Sequence, residues 1–287
     1  MNNTKIIVMI LICIIGLLVL LFINKIYESF QNNETIDIVI PFHPKDSKIL
    51  PYCIKGLNNV KNKGKIYLIS VTNPKIDNTI FIDESIFPFN KESIIQYIGE
   101  ENKSRAGWYL QQLLKIYCFN VIPNLSENYL VVDSETVFLN EVQFIEDNKL
   151  LFATGNENHL PYFKHMECIL PSLKKQIDKS GVCHHMIFSQ YYLKNMFNNF
   201  NNNVLDSFMK CVDKENSSLS GMSEYEIFFN YMQQYHPNNM KIRELRWANI
   251  NEISNYNKYT SLDDVLDDNK NKYDFITIHS YMNVNFS

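Results

Sequence analysis

Asp133 and Glu135, separated by Ser134, close the apolar run Tyr129-Leu-Val-Val132 in Tyr129-Leu-Val-Val-Asp-Ser-Glu-Thr-Val-Phe-Leu139. A Val-rich run flanked by polar residues reads as a buried strand of a covered sheet. In open α/β sheets the ligand crevice lies at the carboxyl ends of strands. Two carboxylates there present hard oxygen donors, and Mg²⁺ or Mn²⁺ favours one or two carboxylates together with substrate phosphates. The plainer reading is an acidic turn after a strand, since an Asp-x-Glu spacing also arises by chance. Near the carboxyl end, Tyr273-Asp-Phe-Ile-Thr-Ile-His-Ser-Tyr281 reads as a last strand ending at His279. That imidazole would complete a metal site with Asp133 and Glu135, or bind a phosphate.

Other residues carry chemistry in pairs of readings. Arg105 opens the periodic segment Ser104-Arg-Ala-Gly-Trp-Tyr-Leu-Gln-Gln-Leu-Leu-Lys-Ile-Tyr-Cys-Phe119, with Lys115 further along. A cation at a helix N-terminus opposes the macrodipole, so Arg105 is expected to face a phosphate or carboxylate, or else solvent. His184 and His185 are adjacent, point apart on a strand or helix, and so rarely ligate one metal together. One of them is expected at a substrate hydroxyl or phosphate; a core or surface histidine is the bland alternative. Ser223-Glu-Tyr-Glu226 has the capping-box spacing. Glu224 and Glu226 are therefore general-base candidates that helix capping explains almost as well.

These residues need a scaffold. Residues 36–40 read as a first strand stopped by Pro41, so Pro41, Phe42, His43, Lys45 and Asp46 fall in the first strand-to-helix loop, which commonly meets a nucleotide. Residues 50–60 read as a helix, 65–71 and 81–84 as strands, 104–119 as the clearest helix, and 150–154 as a further strand. Residues 162–178 are mostly helical, 223–231 start a helix, 242–247 form a late strand or turn, and 263–272 are a charged surface stretch. Strand and helix alternate, which argues for a parallel sheet. The chain has neither G-x-G-x-x-G after the first strand nor G-x-x-x-x-G-K-[ST] anywhere, against an NAD-type site and a P-loop.

The 287 residues are 46 % hydrophobic and 13 % aromatic, with a formal net charge of −4. That supports a real core and, without a basic patch, disfavours nucleic-acid binding. Residues 6–23 form an apolar run about 27 Å long as a helix, enough for a thin bilayer. No small-residue cleavage site follows, so an uncleaved signal anchor is expected. Residues 1–5 would be a cytoplasmic tail, 24–35 a linker and 36–287 the functional domain. The slight charge bias places the short N-terminus in the cytoplasm and that domain in the lumen. Asn33-Glu-Thr and Asn216-Ser-Ser would then be candidate glycosylation sites. Asn abundance is read as a compositional bias. Cys13 lies in the apolar run; Cys53, Cys118, Cys168, Cys183 and Cys211 include no C-x-x-C pair. Buried free thiols are the expectation, and one pair in a lumenal domain the alternative.

Five segments then fall in a telling order: Ile36–Pro41, Arg105-Ala-Gly-Trp-Tyr-Leu-Gln-Gln-Leu-Leu-Lys115, Val131-Val-Asp-Ser-Glu-Thr-Val-Phe138, Gly181-Val-Cys-His-His-Met186 and Ser223-Glu-Tyr-Glu226. This order resembles a poorly characterised family of GT-A-like glycosyltransferase domains of bacteria and large DNA viruses. The resemblance covers most of residues 35–282. It implies a Rossmann-like α/β fold with a mixed, mostly parallel sheet flanked by helices. It also implies a metal-dependent transferase that moves a sugar from a nucleotide-sugar, a UDP-sugar in the first instance, to a glycan, protein or lipid. The family's Asp-x-Asp motif falls on Asp133-Ser134-Glu135, where the last acid is Glu. Carried over, Glu135 holds Mn²⁺ or Mg²⁺, Asp133 meets the ribose or metal-bound water, and His279 is a third ligand. Pro41, Phe42, His43, Arg105, Lys115, Asp133 and Ser134 then serve the donor, His184 and His185 the acceptor or a phosphate. Glu226 or Glu224 would take the acceptor proton in an inverting enzyme. The rivals are a sugar nucleotidyltransferase, disfavoured by the Gly-free first loop, a metal-dependent phosphodiester hydrolase, and a decayed nucleotide-sugar-binding protein.

Overall fold

A computed structural model describes residues 12–20, 35–200, 203–213, 220–254 and 256–279. Residues 12–20 form helix α1, exposed along its length. Among the described residues no helix is long and apolar enough to cross a membrane. The rest of the expected span (residues 6–11 and 21–23), the tail 1–5 and linker residues 24–34 lie outside them, as does Asn in each sequon.

The chain then alternates: β1 (Ile36–Pro41), α2 (Leu50–Gly56), β2 (Lys63–Ser70), β3 (Ile80–Asp83), α3 (Lys91–Ile98), α4 (Ala106–Tyr117) and β4 (Asn128–Val132). Short strands β5 (Thr136–Phe138), β6 (Ile145–Glu146) and β7 (Lys149–Phe152) follow, then α5 (Leu160–Ile169) and β8 (His185–Ser189). The remainder is α6 (Gln190–Phe197), α7 (Val204–Met209), α8 (Glu224–Tyr235), β9 (Met240–Ile242), β10 (Trp247–Asn249), α9 (Leu262–Asn269) and β11 (Phe275–Thr277).

The main sheet has the order β3-β2-β1-β4-β8. β1 pairs in parallel with β2 and β4, and β2 with β3; β8 runs antiparallel to β4. This is a mixed, mostly parallel α/β sheet: the alternation argues for its parallel part, and the antiparallel β8 makes it the mixed sheet that the resemblance implies. Tyr129, Leu130, Val131 and Val132 are each 0 % exposed. A strand covered on both faces needs no polar alternation, which is why β4 is an unbroken apolar run. The strand read at 150–154 is β7, which belongs with β6 and β9 to a separate three-stranded sheet.

Two pairings bring distant segments to the end of β4. Val132 lies opposite His185 in β8, and Thr136 of β5 opposite Thr277 of β11. The small sheet β10-β11-β5 therefore delivers the end of the last strand beside the turn after β4. Gly56 lets α2 rest against β5, for a Cβ there would stand 2.8 Å from the Phe138 nitrogen.

Two expectations are corrected. Cys168 and Cys211 are joined in a disulfide, while Cys53, Cys118 and Cys183 are the buried free thiols. Helices α5 and α7 pack together and bring the two cysteines within a Cα separation of 5.6 Å. The Asn residues are also more than a bias. Asn62, Asn78, Asn124 and Asn148 have positive φ, a turn conformation that Asn tolerates better than most side chains.

Candidate functional site

Glu135, His184 and His279 converge where β4 ends, each offering a ligand atom within 4.8 Å of the others. Their side chains are 17, 16 and 11 % exposed, so the cluster sits in a crevice rather than on an open face. The turn that makes it is tight. Thr136 N–H donates to the Asp133 carbonyl at 2.9 Å, and Ile278 N–H donates to the Glu135 carbonyl at 2.9 Å. Ser134 faces inward, 1 % exposed, and its hydroxyl donates to Asp46 Oδ2 at 2.9 Å. Asp46 belongs to the one-turn helix Pro44–Asp46 after β1, so the first loop and the β4 turn are braced against each other.

His279 is held from behind. Asn249 gives its amide N–H to Glu252 at 2.9 Å, so its Oδ1 turns to Thr277 Oγ1 at 2.6 Å and to His279 Nε2 at 3.1 Å. An amide oxygen only accepts, hence Nε2 carries the proton and Nδ1 faces Glu135. Burial pulls the His279 pKa down, but the hydrogen bond and charge of Glu135 outweigh it and raise the pKa. A second group that orients a histidine in this way is characteristic of metal sites. Asn249 and Thr277 carried no sequence signal; they matter only because β10 pairs with β11.

His184 and His185 separate because His184 has φ +66°. A non-glycine residue in that region costs of the order of 1–3 kcal/mol and needs support. The support is visible: its carbonyl accepts from Asp133 N–H at 2.9 Å and from Thr136 Oγ1 at 3.3 Å. His184 Nδ1 lies 3.4 Å from Asp133 Oδ2. His185, by contrast, is 1 % exposed and edge-on to Phe138, Phe144 and Phe275 at 4.8–5.4 Å. Burial pushes its pKa down to about 3, so it is neutral. It faces the core, not a substrate hydroxyl or phosphate.

Asp133 lies beside the three-residue cluster and ties it to the interior. Lys115 Nζ sits 2.5 Å from Asp133 Oδ1 and 2.9 Å from Glu224 Oε1, with Lys115 3 % and Glu224 0 % exposed. Tyr225 OH adds a hydrogen bond to Asp133 at 3.3 Å, and its ring lies 4.5 Å from Nζ. Burial would raise the Asp133 pKa, but Lys115 and His184 hold its carboxyl well below the usual range. Burial would likewise lower Lys115, and the two carboxylates raise it instead. Burial dominates at Glu224 and, with the nearby Asp133 charge, pushes its pKa up to about 7 against the pull of Lys115.

The remaining candidates are placed as follows. Glu226 is 0 % exposed; Ser180 Oγ donates to its carboxylate, as does Asn230 Nδ2 at 2.9 Å, and its backbone N–H is capped by Ser223. Burial raises its pKa. Neither Glu224 nor Glu226 meets solvent in this arrangement. Arg105 lies over Trp108 at 4.8 Å and donates to Ser220 Oγ at 2.9 Å, so its partners are an indole and a hydroxyl. Pro41 and Phe42 are buried; His43 is exposed, and its Nδ1 accepts from Lys45 N–H at 3.2 Å.

Residues 55–265 match the family described as "Family of unknown function (DUF6492)", and the chain belongs to that family. No curated protein sequence matches it. Among solved structures it is similar to an active-site mutant of LgtC, at 11 % identity and a TM-score of 0.46, over 85 % of this chain and 87 % of that one. It is also similar to mouse xyloside xylosyltransferase 1 in its apo form, at 9 % identity and a TM-score of 0.39, over 85 % and 97 % of the two chains. Both scores are below 0.5.

Proposed function

We propose that the chain is a metal-dependent glycosyltransferase that moves a sugar from a nucleotide-sugar to a glycan, protein or lipid. The observation that carries this reading is the Glu135–His184–His279 cluster at the carboxyl end of β4, beside the loop after β1. Doubly wound sheets place a nucleotide there, and the site's donors suit a divalent ion. One carboxylate and two imidazoles, one of them oriented by an amide, favour Mn²⁺ over the oxygen-seeking Mg²⁺. When bound, such an ion compensates the charge that develops on a leaving diphosphate.

The chain's own residues divide the remaining work. Glu135, His184 and His279 hold the ion. Asp133 orients His184 through Nδ1 and is itself fixed by Lys115 and Tyr225. Lys115 offsets the Asp133 charge in a low-dielectric setting where an unpaired carboxylate would neutralise itself. Residues 6–23 anchor the chain with the domain in the lumen. The disulfide supports that placement, because such bonds persist in oxidising compartments.

The test is a thermal-shift screen of the full chain against nucleotide-sugars, with Mn²⁺ and with a chelator. A ligand at about 100 times its Kd stabilises by about 2.7 kcal/mol. One donor that shifts the melting temperature only with metal is the expected result. No shift with any nucleotide-sugar in the presence of Mn²⁺ overturns the proposal.

A further inference from the structure

At the carboxyl ends of β2 and β3 lies a cavity of about 330 Å³, walled by Val71, Phe87 and Phe89 and edged by Asp83, Glu84 and Asn90. It stands on the same edge of the main sheet as the metal cluster, with β1 between them. That volume suits a small-molecule site, and apolar walls with a few polar groups are its usual lining. Its two carboxylates, Asp83 and Glu84, only accept, whereas Ser85, Asn90 and Ser93 can donate as well. Asp83 Oδ1 takes the Ser85 N–H at 2.8 Å, and Asn90 Oδ1 takes the Ser93 N–H at 2.9 Å. Glu84 is half-buried, and burial raises its pKa without any hydrogen bond among the causes.

The ground between the cavity and the cluster is basic. Lys91 is within electrostatic reach of Glu84 on one side and of His43 on the other. Lys45 is within reach of both His43 and His279. Burial is the largest cause of the lowered His43 pKa; Lys91 and Lys45 add to it, and Asp46 opposes them. Phosphates belong on that strip. The acidic cavity repels them and calls for a group that donates hydrogen bonds.

We infer that the cavity at the ends of β2 and β3 takes a guanine base, with Glu84 as its reader and Lys91 and Lys45 holding the diphosphate toward Glu135, His184 and His279. This rests on the glycosyltransferase reading and narrows its donor to a guanosine diphosphate sugar. The chemistry is specific. Guanine presents N1–H and the N2 amino group side by side, a donor pair that one carboxylate takes in two parallel hydrogen bonds. Uracil flanks its single N–H with two carbonyl oxygens. Adenine and cytosine set a ring acceptor beside their amino group. Each of these three turns a lone pair toward the second carboxylate oxygen.

The experiment is calorimetric titration of the full chain with GDP and with UDP, Mn²⁺ present, on the natural chain, Glu84→Gln and Lys91→Gln. A good bidentate contact discriminates bases by about 1–3 kcal/mol, so GDP should bind at least about five-fold tighter than UDP. Glu84→Gln should remove that preference by weakening GDP alone; Lys91→Gln should weaken both nucleotides together. Nucleotide binding with UDP equal to or tighter than GDP, or a GDP preference untouched by Glu84→Gln, overturns the guanine site and leaves the transferase reading standing. Lys91→Gln without effect on either nucleotide overturns the phosphate strip. Binding of neither nucleotide overturns the guanine site, and the transferase reading falls with it only if no other nucleotide-sugar shifts the melting temperature.

Discussion

Two acidic pairs with the same i, i+2 spacing meet opposite fates. Asp133 and Glu135 follow a strand, and the turn splits them, one carboxylate to a buried lysine and the other to two histidines. Glu224 and Glu226 open a helix, and both are 0 % exposed, one against Lys115 and the other against Ser180 and Asn230. A strand end projects successive side chains into a crevice, whereas a helix start packed on a core draws them inward. The first pair is arranged to receive a ligand and the second to hold the receiver in place. Lys115 joins the two.

Removing Glu135, or the His279 that faces it, by alanine attacks the receiving side directly. The loss of metal-dependent turnover should exceed the 10–100-fold that is usual for an outer partner of a metal ligand. Full activity in both variants, in assays with and without Mn²⁺, would dissolve the distinction. Lys115→Ala breaks the join and strands two carboxylates in the interior. A loss of about 3–5 kcal/mol is expected in denaturant unfolding; a change below about 1 kcal/mol would mean that the lysine is not holding the pairs together. Asn249→Ala should cost about 10–100-fold in Mn²⁺ affinity, since it removes the acceptor behind His279 together with the bonds to Thr277 and Glu252. Unchanged affinity would show that His279 needs no orienting.

A further effect concerns pH. Glu224 binds its proton more tightly in the fold, with a pKa of about 7, than in the unfolded chain at about 4.3. Between those values the folded state holds more protons, so this residue's contribution to stability falls as pH rises through that window. Glu224→Gln should flatten that slope in unfolding experiments at pH 5 and pH 8. An unaltered slope would remove Glu224 from the set of groups that titrate near neutrality.

Much of this was legible before any coordinates. β1, β2 and β4 are apolar runs because both of their faces are covered, and a run of that kind announces itself. The acidic turn after β4 and His279 at the end of the last strand could be read for the same reason: a strand end is a fixed place in such a sheet. The choice between His184 and His185 could not. It depends on one left-handed residue braced by Asp133 and Thr136, and nothing in a His-His pair signals that. Asn249 is nearly 30 residues from the histidine it orients, and the pairing of Cys168 with Cys211 depends on how α5 and α7 pack. For Arg105 the sequence leaves an anion and solvent both open; in the structure it lies over Trp108 and donates to Ser220, contacts that helical spacing allows but does not demand.

The disulfide has a practical bearing on how the protein must be handled. It closes a ring of 43 residues between Cys168 and Cys211, and β8 with His184 lies inside that ring, whereas Glu135 and His279 lie outside it. Closing such a ring restricts the unfolded chain by about 4 kcal/mol on the chain-entropy account. A thiol reductant in the buffer would therefore lower the stability of the whole fold, and with it that of the crevice where the ring meets Glu135 and His279. Protein made in a reducing cytosol and protein made in a secretory lumen would then be two different reagents with one amino-acid sequence.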